Sequence, residues 1–271
     1  MSLIGTVLVG VKRCVDPSVR VRAIPNSPRP AVDAQRANRT LGPLDAIALE
    51  AALRLRSAGH ATRVVVASVG PQVDAHEALR AGLAMGADAA LHVPRGSGAG
   101  DWASEAALAA EPLAAARGLA QAVAQCDARL VLVGAQASDT AQGQTGPMLA
   151  GMLGWHQATS IVELEVLRDG GDLCRLRVAT DPTTDGQVLE LSLPAVVTCN
   201  PRLNAPRVAK LPDVLKARRA KIETLPAEPQ APHTQVLSAT NAPPRRTAPP
   251  RIAKTAAELL DMLRHDGHIS S

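Results

Sequence analysis

At 271 residues the chain is long enough for one large domain or two small ones, each with a real core. Its 46% hydrophobic content includes no Phe or Tyr, and Trp102 and Trp155 are the only aromatics, which excludes a nucleic-acid binder built on aromatic stacking. The net charge of +4 is uneven: residues 201 to 271 hold 12 basic and 6 acidic side chains, leaving 17 against 19 before them, so the basic excess belongs to the tail.

Residues 4 to 11 (IGTVLVGV) read as a strand covered on both faces, because the run is apolar without alternation. After a polar, Pro-containing stretch, AIALEAALRLRSAG reads as a helix with Asp45 as N-cap and Gly59 as its stop. A strand at 62 to 69, a helix at 72 to 85 and a short strand at Ala89 to Val93 follow. Then come a loop at 95 to 101, an Ala-rich helix at 103 to 126, a buried strand at Arg129 to Val133 and a helix at 147 to 153. This alternation predicts an α/β, Rossmann-like fold: a mostly parallel sheet with helices on both faces. Three β-rich segments (160 to 167, 173 to 180, 187 to 193) precede PAVVTC and predict antiparallel strands at one edge. The expected domain is 1 to 225. Residues 226 to 250 hold seven prolines and read as an extended arm, so 226 to 271 form a C-terminal arm ending in a short amphipathic helix, Thr255 to Arg264. That helix either docks on a partner or packs back on its own domain.

Cys14, Cys126, Cys174 and Cys199 form no CxxC pair, and the seven histidines form no HExxH, so neither zinc spacing nor a redox dithiol is expected. No apolar run reaches the roughly 20 residues of a membrane span, the N-terminus does not read as a signal peptide, and a cytoplasmic setting is expected. No hydrolytic or redox constellation is visible either. Ser138-Asp139 has no neighbouring His, and Glu163, Glu165 and Asp181 lack the spacing of an acid/base pair, so no chemistry of its own is expected.

In an open parallel sheet, ligands bind at the carboxyl ends of strands where strand order reverses. Four loops qualify: Gly10, then Gly42, Pro43, Leu44 and Asp45, then Ser68-Val69-Gly70, and finally GAQASDTAQGQTG from Gly134 to Gly146. The last joins a strand end, small residues and a Thr145-Gly146-Pro147 helix start, whose free N–H groups favour an anion such as phosphate. Without GxGxxG or a P-loop, it reads either as a nucleotide site or as a polar loop with a cap. The segment RVAKLPDVLKARRAK sets Leu211, Pro212 and Leu215 among Arg207, Lys210 and Lys216, with Arg218, Arg219 and Lys221 beyond. It reads either as a docking device for an acidic partner or as a solvated basic helix with Leu215 turned inward.

Several segments together resemble the beta subunit of electron transfer flavoproteins: VLVGVKRCVD, GPLDAIALEAALRL, ASVGP, LRAGLAMGAD, LVLVGAQASDTAQGQTG, the LPAVVTCNPRLNAPRVAKLPDVLKARRAKIE run and PPRRTAPP, in the family's order. The resemblance implies a heterodimer whose alpha subunit holds most of a redox-active FAD. Electrons then pass from a flavin dehydrogenase such as an acyl-CoA dehydrogenase to a quinone oxidoreductase or another acceptor. It further implies a structural AMP at Gly10, Gly42, Pro43, Leu44, Asp45, Val69 and the loop Gly134, Ala135, Gln136, Ala137, Ser138, Asp139, Thr140, Ala141, Gln142, Gly143, Gln144 and Thr145, with the phosphate near Gln144 and Thr145. Arg207, Lys210, Leu211, Pro212, Leu215 and Lys216 fall on the family's partner-recognition loop, with Leu211 as its anchor, and Asp181 falls near a family glutamate placed towards the flavin domain. The chain departs from the family at Gly42-Pro43-Leu44 (for Asn-Pro-Phe), at Asp45 (for Cys) and at Pro17 (for an aromatic). A bifurcating type with a second FAD in place of AMP, a nucleotide-binding sensor of the same fold and a nucleotide-using enzyme at 134 to 146 stay open.

Overall fold

The computed structural model describes residues 4–16, 18, 39–94, 112–168, 174–183, 186–226 and 251–269. In chain order the elements are β1 (Thr6–Gly10), β2 (Arg13–Val15), β3 (Arg39–Leu41), α1 (Pro43–Ser57), β4 (Arg63–Gly70), α2 (Gln72–Met85), β5 (Ala89–Pro94), α3 (Pro112–Cys126), β6 (Ala128–Gly134) and α4 (Thr145–Leu153). They continue with β7 (His156–Arg168), β8 (Cys174–Thr180), β9 (Val188–Ser192), β10 (Ala195–Cys199), α5 (Leu211–Arg219), β11 (Glu223–Thr224) and α6 (Ala256–His265). Contacts divide the chain into two units, Met1–Ala239 and Thr240–Ser271.

Successive strand residues point to opposite faces, and here both faces are apolar. Val7 and Val9 of β1 enter one core with Val64, Val66, Leu130 and Leu132, while Leu8 enters a second with Val65, Val131 and Val133. Helices α1 and α2 supply Leu49, Leu53 and Leu79 to the first core, and α3 and α4 supply Leu119, Val123 and Leu149 to the second. The result is a sheet with helices on both faces, as the alternation predicts.

With Ala, Val and Leu in place of aromatics, the layers lie close together. A Cβ at Gly118 of α3 would stand 2.7 Å from Val69 Cγ1, and one at Gly146 of α4 would stand 2.3 Å from Thr198 Cγ2. These helix glycines exist for close approach to the sheet.

Among the described residues the larger sheet runs β11-β5-β4-β1-β6-β10-β7-β8-β9. From β1 the chain moves outward through β4 to β5, then returns across β1 to β6. The order therefore reverses between β1 and β6, which pair in parallel. PAVVTC becomes β10, inserted in parallel between β6 and β7.

The predicted antiparallel edge is present as β7-β8-β9. Its first strand starts earlier than the expected residue 160, because His156 to Ile161 also pair in parallel with β10. The change of partner falls at Ser160, whose φ of 54° is left-handed. Its N–H donates to Thr198 Oγ1 at 2.7 Å and its Oγ accepts from Asn200 Nδ2 at 2.9 Å, holding the bulge.

Other boundaries differ for local reasons. Helix α1 starts at Pro43 with Gly42 as N-cap, so Asp45 is a first-turn residue and not the cap. Pro at the first helical position suits that start because its missing N–H would have no helical partner there. Helix α4 likewise begins at Thr145, two residues before the expected start. The short β2-β3 ribbon lies in a stretch read as polar connection. It is tied to α2 by Asp74, which accepts from Arg13 at 3.0 Å and from Arg39 at 2.8 Å. The predicted loop at 95 to 101, the first part of the predicted helix at 103 to 126, Pro17 and residues 227 to 250 of the predicted arm lie outside the described residues. No helix among the described residues is long and apolar enough to cross a membrane.

Candidate functional site

At the reversal point the carboxyl ends of β1 and β6 part, and a cleft of about 100 Å³ opens between them. That is several times the ~10–15 Å³ a single buried water requires. Gly10 and Val11 form its floor with Val133 and Gly134. Val69 of β4 and Leu119 of α3 form one wall, and the loop after β6 forms the other.

Of the residues expected around a nucleotide, Gly10, Asp45, Val69, Gly134, Ala135, Gln136, Ala137, Thr140, Gln142, Gly143, Gln144 and Thr145 line this cleft. Gly42, Pro43, Leu44, Ser138, Asp139 and Ala141 are not in its lining. Gly42 is buried behind Asp45, and Leu44 packs against the first core. Lys12, Ala67, Pro112 and Ala115 line the cleft without having been singled out in the sequence. A lysine directly after a buried strand was the available signal for Lys12, whereas the positions on α3 carry no local mark.

The loop ends on α4. Its N-cap Gln144 makes no side-chain capping bond, and Pro147 supplies no N–H. The first-turn amides that remain form the positive end of the helix dipole at the cleft wall.

Asp45 ties the two strand ends together. Its Oδ2 accepts the Lys12 backbone N–H at 2.9 Å and its Oδ1 accepts the Gly134 N–H at 3.3 Å. Glycine is required on both sides of the carboxylate. A Cβ at Gly42 would stand 2.6 Å from Asp45 Oδ2, and one at Gly134 would stand 2.7 Å from Asp45 Oδ1. Burial pushes the Asp45 carboxyl up to about 7, and the two amide hydrogen bonds only partly oppose this. The Lys12 ammonium instead pairs with Asp139 at 2.8 Å, strapping the end of β1 to the loop after β6. Burial, followed by the Asp139 and Asp45 carboxylates, pushes the Cys14 thiol up to about 11. Burial, followed by Asp45, pushes Cys199 to about 12. Both stay protonated near neutral pH and are poor nucleophiles.

The segment from Leu203 to Arg219, read in the sequence as a candidate docking surface, is pinned to the body at both ends. Asn204 Nδ2 donates to Ile47 O at 3.0 Å, Arg54 donates to Ala205 O at 3.3 Å, and Arg207 Nε donates to Glu50 Oε2 at 2.6 Å. At the far end, Arg80 donates to the carbonyls of Ala217 and Arg218, satisfying the last turn of α5. Between these anchors Leu211 is 72% exposed and Leu215 50% exposed, with Lys210, Pro212 and Lys216 exposed beside them. Leu215 is thus not turned inward; Ala217 is the buried residue of α5. Arg207, expected among the docking charges, spends its guanidinium on Glu50. Val208, passed over in the sequence, is 92% exposed.

Asp181 accepts from Arg202 at 2.8 Å and from Thr183. Helix α6 is capped by Thr255, whose Oγ1 accepts the Glu258 N–H at 3.2 Å, and it leaves Leu259 and Leu260 about half exposed.

A family model described as the electron transfer flavoprotein domain matches residues 31–230. The chain is 38% identical over 266 residues to the electron transfer flavoprotein subunit beta of Bradyrhizobium diazoefficiens, covering 97% of this chain and 99% of that protein. It is 37% identical over 268 residues to the human electron transfer flavoprotein subunit beta, covering 97% and 98% of the two chains. The mitochondrial beta subunit of Arabidopsis thaliana is 34% identical over 270 residues, with 97% and 99% covered. A domain match across most of the chain, and relatives aligned nearly end to end over a Rossmann-like sheet, lead to one conclusion: the chain belongs to the electron transfer flavoprotein beta subunit family.

Proposed function

We propose that the chain is the non-catalytic beta half of a heterodimeric electron carrier, with AMP in the switch-point cleft and the exposed 208 to 215 surface docking a flavin dehydrogenase. The observation that carries this reading is the cleft itself, with glycines at both strand ends and the uncapped N-terminus of α4 in its wall.

The residues present fit an adenylate. The small residues Ala135, Ala137 and Gly143 keep the loop backbone accessible to a ligand, and Gln142 and Gln144 offer amide donors and acceptors. The first turn of α4 suits a phosphate near Gln144 and Thr145. Lys12 and Asp139 hold the loop against the end of β1.

The FAD, held chiefly by the alpha subunit, supplies the redox step when bound. This chain binds the adenylate, steadies the shared assembly and meets the partners: a dehydrogenase such as an acyl-CoA dehydrogenase as donor, and a quinone oxidoreductase as acceptor. An apolar tip of Val208, Leu211 and Leu215 among Lys210, Lys216, Arg218 and Arg219 suits an apolar pocket with an acidic rim. Four free thiols fit a reducing compartment such as the cytoplasm.

Chromatography of ligand released by heat from the co-expressed alpha–beta complex tests the reading. One AMP and one FAD per heterodimer are expected. Two FAD and no AMP would reassign the cleft to the bifurcating type, and a lone chain that turns over a nucleotide would overturn the carrier reading.

A further inference from the structure

Residues 201 to 210 form no helix or strand, so their hold on the body comes from side chains. The bonds holding residues 204 to 207 all end on α1: Asn204 to Ile47 O, Arg54 to Ala205 O, and Arg207 to Glu50. Glu50 is the centre of this set. It is 5% exposed, and its carboxylate accepts from Arg207 Nε at 2.6 Å, from Nη2 of the same guanidinium at 3.2 Å, from the Arg207 backbone N–H at 3.3 Å and from Arg54 Nε at 2.9 Å. A buried carboxylate is tolerated only when paired and hydrogen-bonded, and a guanidinium bound through two nitrogens is fixed in direction as well as distance. Burial alone would raise the Glu50 carboxyl, but Arg207 and Arg54 outweigh it and hold the group below the usual carboxylate range. The residue after this clamp is Val208, 92% exposed, and three positions further stands Leu211.

We propose that Glu50 is the positioning residue of the docking surface: by fixing the backbone and guanidinium of Arg207 it aims Val208 and Leu211 at the partner. This rests on the docking reading above. It adds that the surface is pre-ordered from inside by a residue more than 150 positions away in the chain, so its partner meets a surface whose ordering cost has already been met.

The test uses the co-expressed alpha–beta complex. In Glu50→Gln, hydrogen exchange of the Arg207 amide, which donates to Glu50, is expected to rise about tenfold or more, with β1, β4 and β6 unchanged, because one clamp and not the fold is loosened. With an acyl-CoA dehydrogenase as electron donor, the apparent KM for the complex is expected to rise about tenfold while the limiting rate is retained. Glu50→Asp, which keeps the charge on a shorter stem, should recover part of both effects. Should Glu50→Gln fail to fold, Arg207→Ala carries the exchange measurement, since Glu50 then keeps Arg54. Unchanged exchange of the position 207 amide in whichever variant folds overturns the clamp. Raised exchange together with a Leu211→Ala complex of unaltered KM leaves the clamp intact but removes the docking reading, so the two failures are distinguishable.

Discussion

Asp45 stands in the first turn of α1, yet its carboxylate accepts from Lys12 and Gly134 rather than from its own helix. An unfolded aspartate titrates near ~3.9, whereas burial raises Asp45 to about 7 in the fold. The folded chain therefore keeps a proton that the unfolded chain has released between those values. The stability this contributes is fully present below the unfolded value and is lost as pH rises to about 7. Asp45→Asn is expected to remove that decline, so a plot of urea midpoint against pH should be flatter over the window than for the parent. An unchanged slope would assign the titration elsewhere. The family resemblance places Asp45 at a cysteine position, but a carboxylate at a strand crossing has no local pattern of its own. Its partners, Lys12 and Gly134, lie 33 and 89 residues away.

Helices in this chain are set by glycine and alanine more than by large side chains. Gly118 meets Val69 and Val93, Gly82 meets Val66, and Gly146 meets Thr198, so each helix backbone lies nearly on the sheet. At Gly146 the neighbour cannot easily yield, because Thr198 Oγ1 is engaged by the Ser160 N–H at 2.7 Å. Gly146→Ala should therefore displace α4, destabilise the chain by about 1–3 kcal/mol and lower the AMP retained on purification. Urea denaturation and ligand analysis on one preparation check both effects. The strands β1, β4 and β6 and helices α1 and α2 were readable in the sequence because their apolar runs are long and bounded by charge, Gly or Pro. The β2-β3 ribbon was not, since three-residue strands hold no period and these are fixed by Asp74 on a helix.

For the whole molecule, the cleft and the 204–207 segment share one helix. Helix α1 carries Asp45 to the strand ends and Glu50 to the 204–207 segment, so its placement on the first core positions both sites. Leu211→Ala, on the exposed side of α5, is expected to slow electron uptake from the dehydrogenase about tenfold or more, as for a truncated interface anchor, while AMP and FAD content stay at parent levels. Stopped-flow flavin reduction checks the first part and ligand analysis the second. A fall in AMP content would mean that α5 acts through the fold and not at a docking surface.

The sequence by itself determined the α/β alternation, the antiparallel edge, the glycine loop after β6 and the exposed leucine among cations, because each is written in residues close together in the chain. The tertiary structure decided which of the four loops share one cleft, that Lys12 belongs to it and that Arg207 is an anchor rather than a free docking charge. It also decided where β10 inserts. Those outcomes depend on strand order and on pairings across 33 to 157 residues, and local periodicity carries no information about which distant partner will neutralise a buried charge.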